Sequence, residues 1–228
     1  MKKTKVIEID KELICNLSRI PTAIYDNPCY KTAVEIMHSE ERFNHKSTPL
    51  MMHYKNYNPK TLYHMYGVVE KLKNYECYHA FLPWIHYKPV DSLLDHAFIN
   101  RDEKFIKNQV HKMQKLIKSI DAYGYRPEKF IDRKEGHITG YFIEDASHRK
   151  FYVVSGNHRA AILSAMHPDR KLPVILEKES FMKERDKRNR GDFRTLYKIE
   201  DAKSWPSVRS AFLTEDEARQ IMNKYLET

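Results

Sequence analysis

The sequence predicts an α+β fold in which a small mixed sheet is flanked by helices. Three observations predict it: a long amphipathic helix, two successive strands after it, and a short helix that leads to a third, apolar strand. The chain has 228 residues, which is enough to bury a core. No apolar run approaches the ~18 residues of a membrane span, so we expect none.

The long helix is predicted to begin at Asn100 and to end before Gly124. Asn100 and Glu103 have the spacing of a capping box, in which each residue satisfies a free backbone N–H of the other. Gly124 suits the left-handed residue that closes a helix, and a proline follows shortly. Apolar residues recur at steps of four and three and form one face: Ile106, Val110, Met113, Ile117 and Ile120.

The remaining elements are predicted on both sides of this helix. Helices are expected over 27–39 and 60–73, with a strand and turn over 84–94. Thr214 and Glu217 form a second capping box that opens a last helix. The strands are expected over 128–131, 138–143, 150–154 and Leu172–Leu176, with a helix over 160–166.

The composition points to an anionic partner and to a reducing compartment. Lys and Arg exceed Asp and Glu by 40 to 31, which gives a net charge of +9. Such a charge favours nucleotides, nucleic acid or an anionic surface. The three cysteines are widely spaced and form no C-x-x-C pair, so we expect free thiols, no zinc site and a cytoplasmic protein.

The segment with the clearest chemistry joins the second strand to the short helix. It reads Ser155-Gly156-Asn157-His158-Arg159, in a chain with only 6 glycines where average usage gives about 16. A glycine at this junction allows a sharp turn, and the free N–H groups of the helix start attract anions. Arg159 can grip phosphate oxygens, and His158 can donate a hydrogen bond or carry a proton.

The order of these motifs resembles that of the ParB/sulfiredoxin-like superfamily, which includes ParB N-terminal domains, sulfiredoxin and free serine kinases. The resemblance covers about residues 90–176. It depends on three segments: Leu116-Ile117-x-Ser119-Ile120-x-x-x-Gly124-x-x-Pro127, then Val153-Val154-Ser155-Gly156-Asn157-His158-Arg159-x-Ala161, then Leu172-Pro173-Val174.

The resemblance implies a ParB/sulfiredoxin-like fold whose G-x-x-R turn binds nucleotide phosphates. Gly156 is then the motif glycine, His158 and Arg159 contact the phosphates, and Ser155 and Asn157 are donors in the loop. Sulfiredoxin has a cysteine where this chain has Asn157, and the serine kinases have an acid where it has Ser155. We expect no helix-turn-helix domain of a partition protein, because few residues follow Leu176 in this sequence.

We therefore expect a nucleotide-dependent phosphotransferase, a kinase, that acts on a small hydroxyl-bearing metabolite such as a sugar or an amino-acid derivative. Its nucleotide would be ATP, ADP or CTP with Mg²⁺. In the family the acid comes from the segment before the long helix, so Asp95 with His96 is the first candidate for the base or metal-associated pair, and Glu103 is the second. No set of metal ligands is expected from the spacing of histidines and cysteines.

Three parts of the chain are expected. Residues 1–88, rich in aromatic side chains, would form an extension that binds the acceptor. Residues 89–180 would form the nucleotide-binding domain, and residues 181–228 a basic segment and a helix packed on it. Two alternatives stay open: a nucleotide-sensing, DNA-associated regulator of ParB type, favoured by the +9 charge and the basic run 183–190, and a ParB-like nuclease.

Overall fold

The computed structural model describes residues 6–17, 20–39, 47–57, 59–76, 80–89, 103–127, 136–176 and 194–228. Its strands are β1 (Val6–Ile9), β2 (Ile14–Leu17), β3 (Ile20–Pro21), β4 (Ile138–Glu144), β5 (Arg149–Ser155), β6 (Leu172–Leu176) and β7 (Leu196–Lys198). Its α-helices are α1 (Pro28–His38), α2 (Pro49–Asn56), α3 (Leu62–Tyr66), α4 (Glu103–Tyr123), α5 (Asn157–Met166), α6 (Pro206–Arg209) and α7 (Glu215–Leu226).

The strands form one mixed sheet around β4. β5 pairs with β4 in antiparallel orientation, as expected for a hairpin. The other edge of β4 is shared, because β6 pairs with its first half and β7 with its second half, both in parallel orientation. β1 lies beyond β6 and β2 beyond β5, so the order is β1-β6-β4-β5-β2-β3. The predicted class, a small mixed sheet with flanking helices, is confirmed.

The first strands of the chain belong to this same sheet. β2 pairs in parallel with β5, and β1 pairs in antiparallel orientation with β6. The predicted boundary at residue 88 therefore does not separate the sheet from an appended extension. Both strands have only four residues, too few for a periodic pattern to reveal them. The role of residues 1–88 in binding an acceptor stays a prediction.

One face of the sheet is covered by α1, α2, α4 and α5. The predicted apolar face of α4 is confirmed, since all five of its residues are buried. Gly124 follows α4 with φ of +72°, the left-handed conformation expected there. Residues 100–102 and the strand predicted over 128–131 lie outside the described residues. None of the helices that the structure describes is long and apolar enough to cross a membrane.

Aromatic side chains fill the opposite face of the sheet. Tyr141 stacks on Tyr152 with ring centroids 5.1 Å apart, and the indole N–H of Trp84 donates to the Tyr141 hydroxyl oxygen at 3.1 Å. The prediction of a strand that begins at Trp84 is wrong for residues 84–89, which are the described part of 84–94. Ile85 and His86 instead donate their N–H groups to the carbonyl oxygen of Leu82, which bends the chain so that Trp84 enters this core.

Two helix predictions have different outcomes. The capping box of Thr214 and Glu217 is present at the start of α7, as predicted. The helix expected over 60–73 is instead two short pieces, α3 and a 3-10 helix over Glu70–Asn74. Gly67 and Val69 separate them with φ of +68° and +64°, a conformation that an α-helix of L-residues does not contain.

Candidate phosphate-binding site

Gly156 joins β5 to α5 in a conformation that excludes other residues. Its φ is +89°, in the left-handed region. A Cβ atom at this position would lie 2.9 Å from the Cα of Ile138 and 3.0 Å from the carbonyl oxygen of His137. Both backbone conformation and space therefore require glycine, because the turn passes directly over the start of β4.

A bulge fixes the end of β5 just before this turn. Thr139 pairs with Ser155 and Gly140 with Val153, so Val154 is an extra residue in β5. Buried Asn16 of β2 supports the same point: its Nδ2 donates to the carbonyl oxygen of Val153 at 3.1 Å, and Val153 N–H donates to its Oδ1 at 2.7 Å. The strand that leads into the turn is thus held from both sides.

Among the described residues, no side chain caps the first turn of α5, and the turn contains no acid. Gly156 is its N-cap and supplies no side chain to accept from the backbone N–H groups that follow. The first N–H groups of a helix have no partner within the helix, and they carry its positive partial charge. No acidic residue lies in this turn. The start of α5 therefore has the features of an anion-binding site.

Positive charges from two helices act on His158 in this turn. Arg159 is half-buried in α5, and Lys112 of α4 lies close enough to act electrostatically on His158. Burial, together with the positive charges of Lys112 and Arg159, lowers the pKa of His158 to about 4. His158 is thus neutral near pH 7 and can donate from one ring nitrogen while it accepts at the other.

Lys112 is a site residue that the sequence does not identify. It lies on a helix with five lysines. Its electrostatic effect on His158 depends on how α4 packs against α5. A periodic pattern shows which face of α4 is buried, but it does not show which flank meets the neighbouring helix.

Two buried oxygen atoms beside the turn lack a donor among the described residues. They are Oδ1 of Asn157, the first residue of α5, and Oγ1 of Thr139, the strand partner of Ser155. Buried polar atoms are nearly always paired with protein, water or ligand. The role of Asn157 as a donor in the loop stays a prediction.

The turn brings five of the predicted site residues together, Ser155 to Arg159. Glu103 is exposed at the start of α4, and the helical rise places it roughly 13 Å along the axis from Lys112. Asp95 and His96 lie outside the described residues. No group of three or more His, Cys, Asp or Glu in the described ranges is arranged to hold a metal.

The depressed pKa of His158 predicts a specific loss of stability in acid. A histidine whose pKa falls from 6.5 to about 4 on folding contributes stability that is complete above about pH 6.5 and is lost as the pH falls towards 4. Between about pH 7.5 and about pH 4.5 this amounts to ~2.5 kcal/mol. Urea unfolding at the two pH values should show that His158→Gln removes this part of the acid sensitivity.

The exposed histidine of α3 provides the control. His64→Gln makes the same substitution at an exposed position outside the turn, so it controls for the loss of a histidine side chain. Equal acid sensitivity in His158→Gln and in the wild type would contradict a buried, neutral His158.

Comparisons with known proteins place this site in no family. No family model matches the chain, and neither a curated protein nor a solved structure does. The candidate role of the turn therefore depends on its own residues and geometry.

Proposed function

We propose that this chain is a nucleotide-dependent phosphotransferase that acts on a small hydroxyl-bearing metabolite. The observation that carries the proposal is the start of α5, which has no side-chain cap and no acid in its first turn and to which Arg159 adds a positive charge. The charge of Lys112 acts on His158 in the same turn. The similarity of residues 90–176 to the ParB/sulfiredoxin-like superfamily supports a nucleotide as the anion. The order long helix, hairpin, turn, helix and strand agrees with that similarity.

Each residue of the turn has a role in this proposal. The phosphate oxygens accept from the first N–H groups of α5 and from the fork of Arg159. Neutral His158 donates one hydrogen bond, and Lys112 neutralises further charge. Ser155 and Asn157 supply further donors from the loop.

The transfer itself needs a base and charge neutralisation. The acceptor hydroxyl attacks the terminal phosphorus, its proton passes to the base, and the shortened nucleotide leaves with the bond electrons. Asp95 with His96, or Glu103, supplies the base. Mg²⁺ would neutralise the phosphates, and it takes one or two protein carboxylates in addition to phosphate oxygens.

A groove of about 360 Å³ between α1 and α2 is the candidate for the acceptor. His53 and Tyr57 lie at one side of it with stacked rings 4.9 Å apart. Asp26 and Lys31 contribute polar atoms near the start of α1, whose body packs on α5. This mixture of ring faces and charged groups suits a sugar or an amino-acid derivative.

A thermal-shift screen tests the phosphate site. ATP, ADP and CTP, with and without Mg²⁺, are tested on the wild type, on Arg159→Ala and on Arg209→Ala, an exposed arginine of α6 as control. A ligand at ~100 times its Kd adds about 2.7 kcal/mol, or a rise in Tm of roughly 5–10 °C for a chain of this size. Arg159→Ala should lose this rise, and Arg209→Ala should keep it.

Product formation tests the reaction class. Turnover of the nucleotide should depend on an acceptor from a panel of sugars and amino-acid derivatives, and it should fail in Arg159→Ala. A folded protein that shows neither a thermal shift nor turnover contradicts the proposal. A thermal shift without turnover for any acceptor would instead favour the nucleotide-sensing regulator that the charge of +9 also suggests.

A further inference from the structure

The outer face of α4 carries a row of basic side chains. They recur at steps of three, four, four and three residues and therefore lie in line on the side opposite the buried face. All are exposed, and with a rise of 1.5 Å per residue the row is roughly 21 Å long. Its members are Lys104, Lys107, His111, Lys115 and Lys118, and together they are called the α4 basic row.

No acid interrupts the α4 basic row. The two acidic residues of α4, Glu103 and Asp121, lie at its ends. In the described part of the chain, no ion pair involves a lysine of the row. By contrast, Lys171 pairs with Asp10 and Lys198 with Glu144, both at 3.2 Å. Glu103 lies four residues before Lys107, and Asp121 lies three residues after Lys118, but neither forms an ion pair with the row among the described residues. The middle of the row, His111 and Lys115, has no acid three or four residues away, so its positive charge is not balanced within α4.

An exposed aromatic ring lies beyond the end of this row. Tyr123, the last residue of α4, is 66% exposed, more than the other large hydrophobic residues found at the described surface. The helical geometry places it roughly 8 Å along the axis from Lys118 and about 140° around it, so a strand that follows the row would reach the ring by turning around the end of the helix. A basic track with an exposed aromatic ring beyond its end is a combination with which proteins hold single strands, since unpaired bases can stack on the ring.

We infer that the outer face of α4 binds single-stranded nucleic acid. The α4 basic row follows the phosphates over a stretch of about four to six nucleotides, and Tyr123 stacks on a base at one end. A duplex fits less well because its bases are already stacked on one another. An anionic membrane fits less well too, because the residues exposed between Lys104 and Lys118 are polar and offer no apolar group to insert.

The salt dependence of binding tests this inference. Fluorescence anisotropy is measured with short labelled single-stranded DNA, single-stranded RNA and duplex DNA over a range of salt concentrations. Each lost phosphate contact reduces the slope of log K against log salt by ~0.7 for a single strand. The slope should therefore be smaller by about 2 in the triple variant Lys107→Gln/Lys115→Gln/Lys118→Gln. The control Lys60→Gln/Lys203→Gln/Arg209→Gln removes three exposed charges elsewhere and should change it little.

Tyr123→Ala tests the stacking separately. It should weaken single-strand binding by about tenfold and leave the binding of inorganic polyphosphate, which has no bases, unchanged. Equal slopes for both triple variants would overturn the inference. So would tighter binding of duplex or of anionic vesicles than of single strands, or an unchanged affinity in Tyr123→Ala.

This surface is independent of the phosphate site. The triple variant leaves Lys112 and the turn intact, so it should keep the thermal shift with nucleotides. Arg159→Ala should lose that shift and keep its affinity for the oligonucleotide. Each proposal can therefore fail without the other.

Discussion

Gly140→Ala is expected to lower the free energy of unfolding by about 4 kcal/mol, a large part of what a domain of this size has. An added Cβ would lie 2.1 Å from the carbonyl oxygen of Tyr152 and 2.7 Å from two ring carbons of Phe151. Both groups belong to β5, and Phe151 is fully buried. The carbonyl oxygen cannot retreat without opening the β4–β5 hairpin, so relaxation would break strand pairs.

Gly124→Ala is the matched control for this substitution. A Cβ on Gly124 would meet nothing within 4 Å, so only its φ of +72° is unfavourable. That conformation costs roughly 1–2 kcal/mol for a residue with a Cβ. Urea unfolding should place Gly140→Ala well below Gly124→Ala in stability. If the two midpoints coincide, the predicted clash between a Cβ at position 140 and β5 is contradicted.

The elements that the sequence predicts well are those whose signal is local. The face of α4 repeats over four turns, Gly124 closes it, and Thr214 and Glu217 cap α7 within four residues. The strands 138–143 and 150–154 lie next to each other in sequence, so pairing them needs only a short connection. Each of these predictions depends on residues within a few positions of one another.

The elements that the sequence misses depend on distant contacts. β2 becomes a strand because Asn16 and its neighbours meet β5, more than 130 residues later. Trp84 looks like part of a strand, yet a turn takes it into a core with Tyr141 and Trp205. Burial in a tertiary core outweighs the local preference of an aromatic residue for strands.

The candidate site also has residues that a local motif predicts and residues that depend on distant contacts. A short motif identifies Gly156 and Arg159, because a rare glycine between strand and helix has few other uses. Lys112 enters the site only through the packing of α4 on α5, and its effect on His158 follows from that contact. The bulge at Val154 also depends on a register between strands, which alternation within one strand does not reveal.

Gly156→Ala combines the two costs that Gly140 and Gly124 show separately. Its φ of +89° is unfavourable for alanine, and the added Cβ would lie 2.9 Å from the Cα of Ile138. We expect a loss of about 3 kcal/mol in the free energy of unfolding, and a larger loss for Gly156→Val because valine is branched at Cβ. Urea unfolding of the three glycine variants should give this order: Gly124→Ala, then Gly156→Ala, then Gly140→Ala as the least stable.

Comparing ligand binding by Gly156→Ala and Arg159→Ala distinguishes the contribution of the turn's backbone conformation from that of the arginine charge. Arg159→Ala removes a charge from an intact turn, so it should keep most of the stability and lose the thermal shift with nucleotides. Gly156→Ala keeps every charge and distorts the turn, so below its lower Tm it should bind nucleotide more weakly. Because α5 would then point its N–H groups elsewhere, the loss should persist for inorganic phosphate. A Gly156→Ala protein with wild-type affinity for phosphate would show that these N–H groups do not bind the anion.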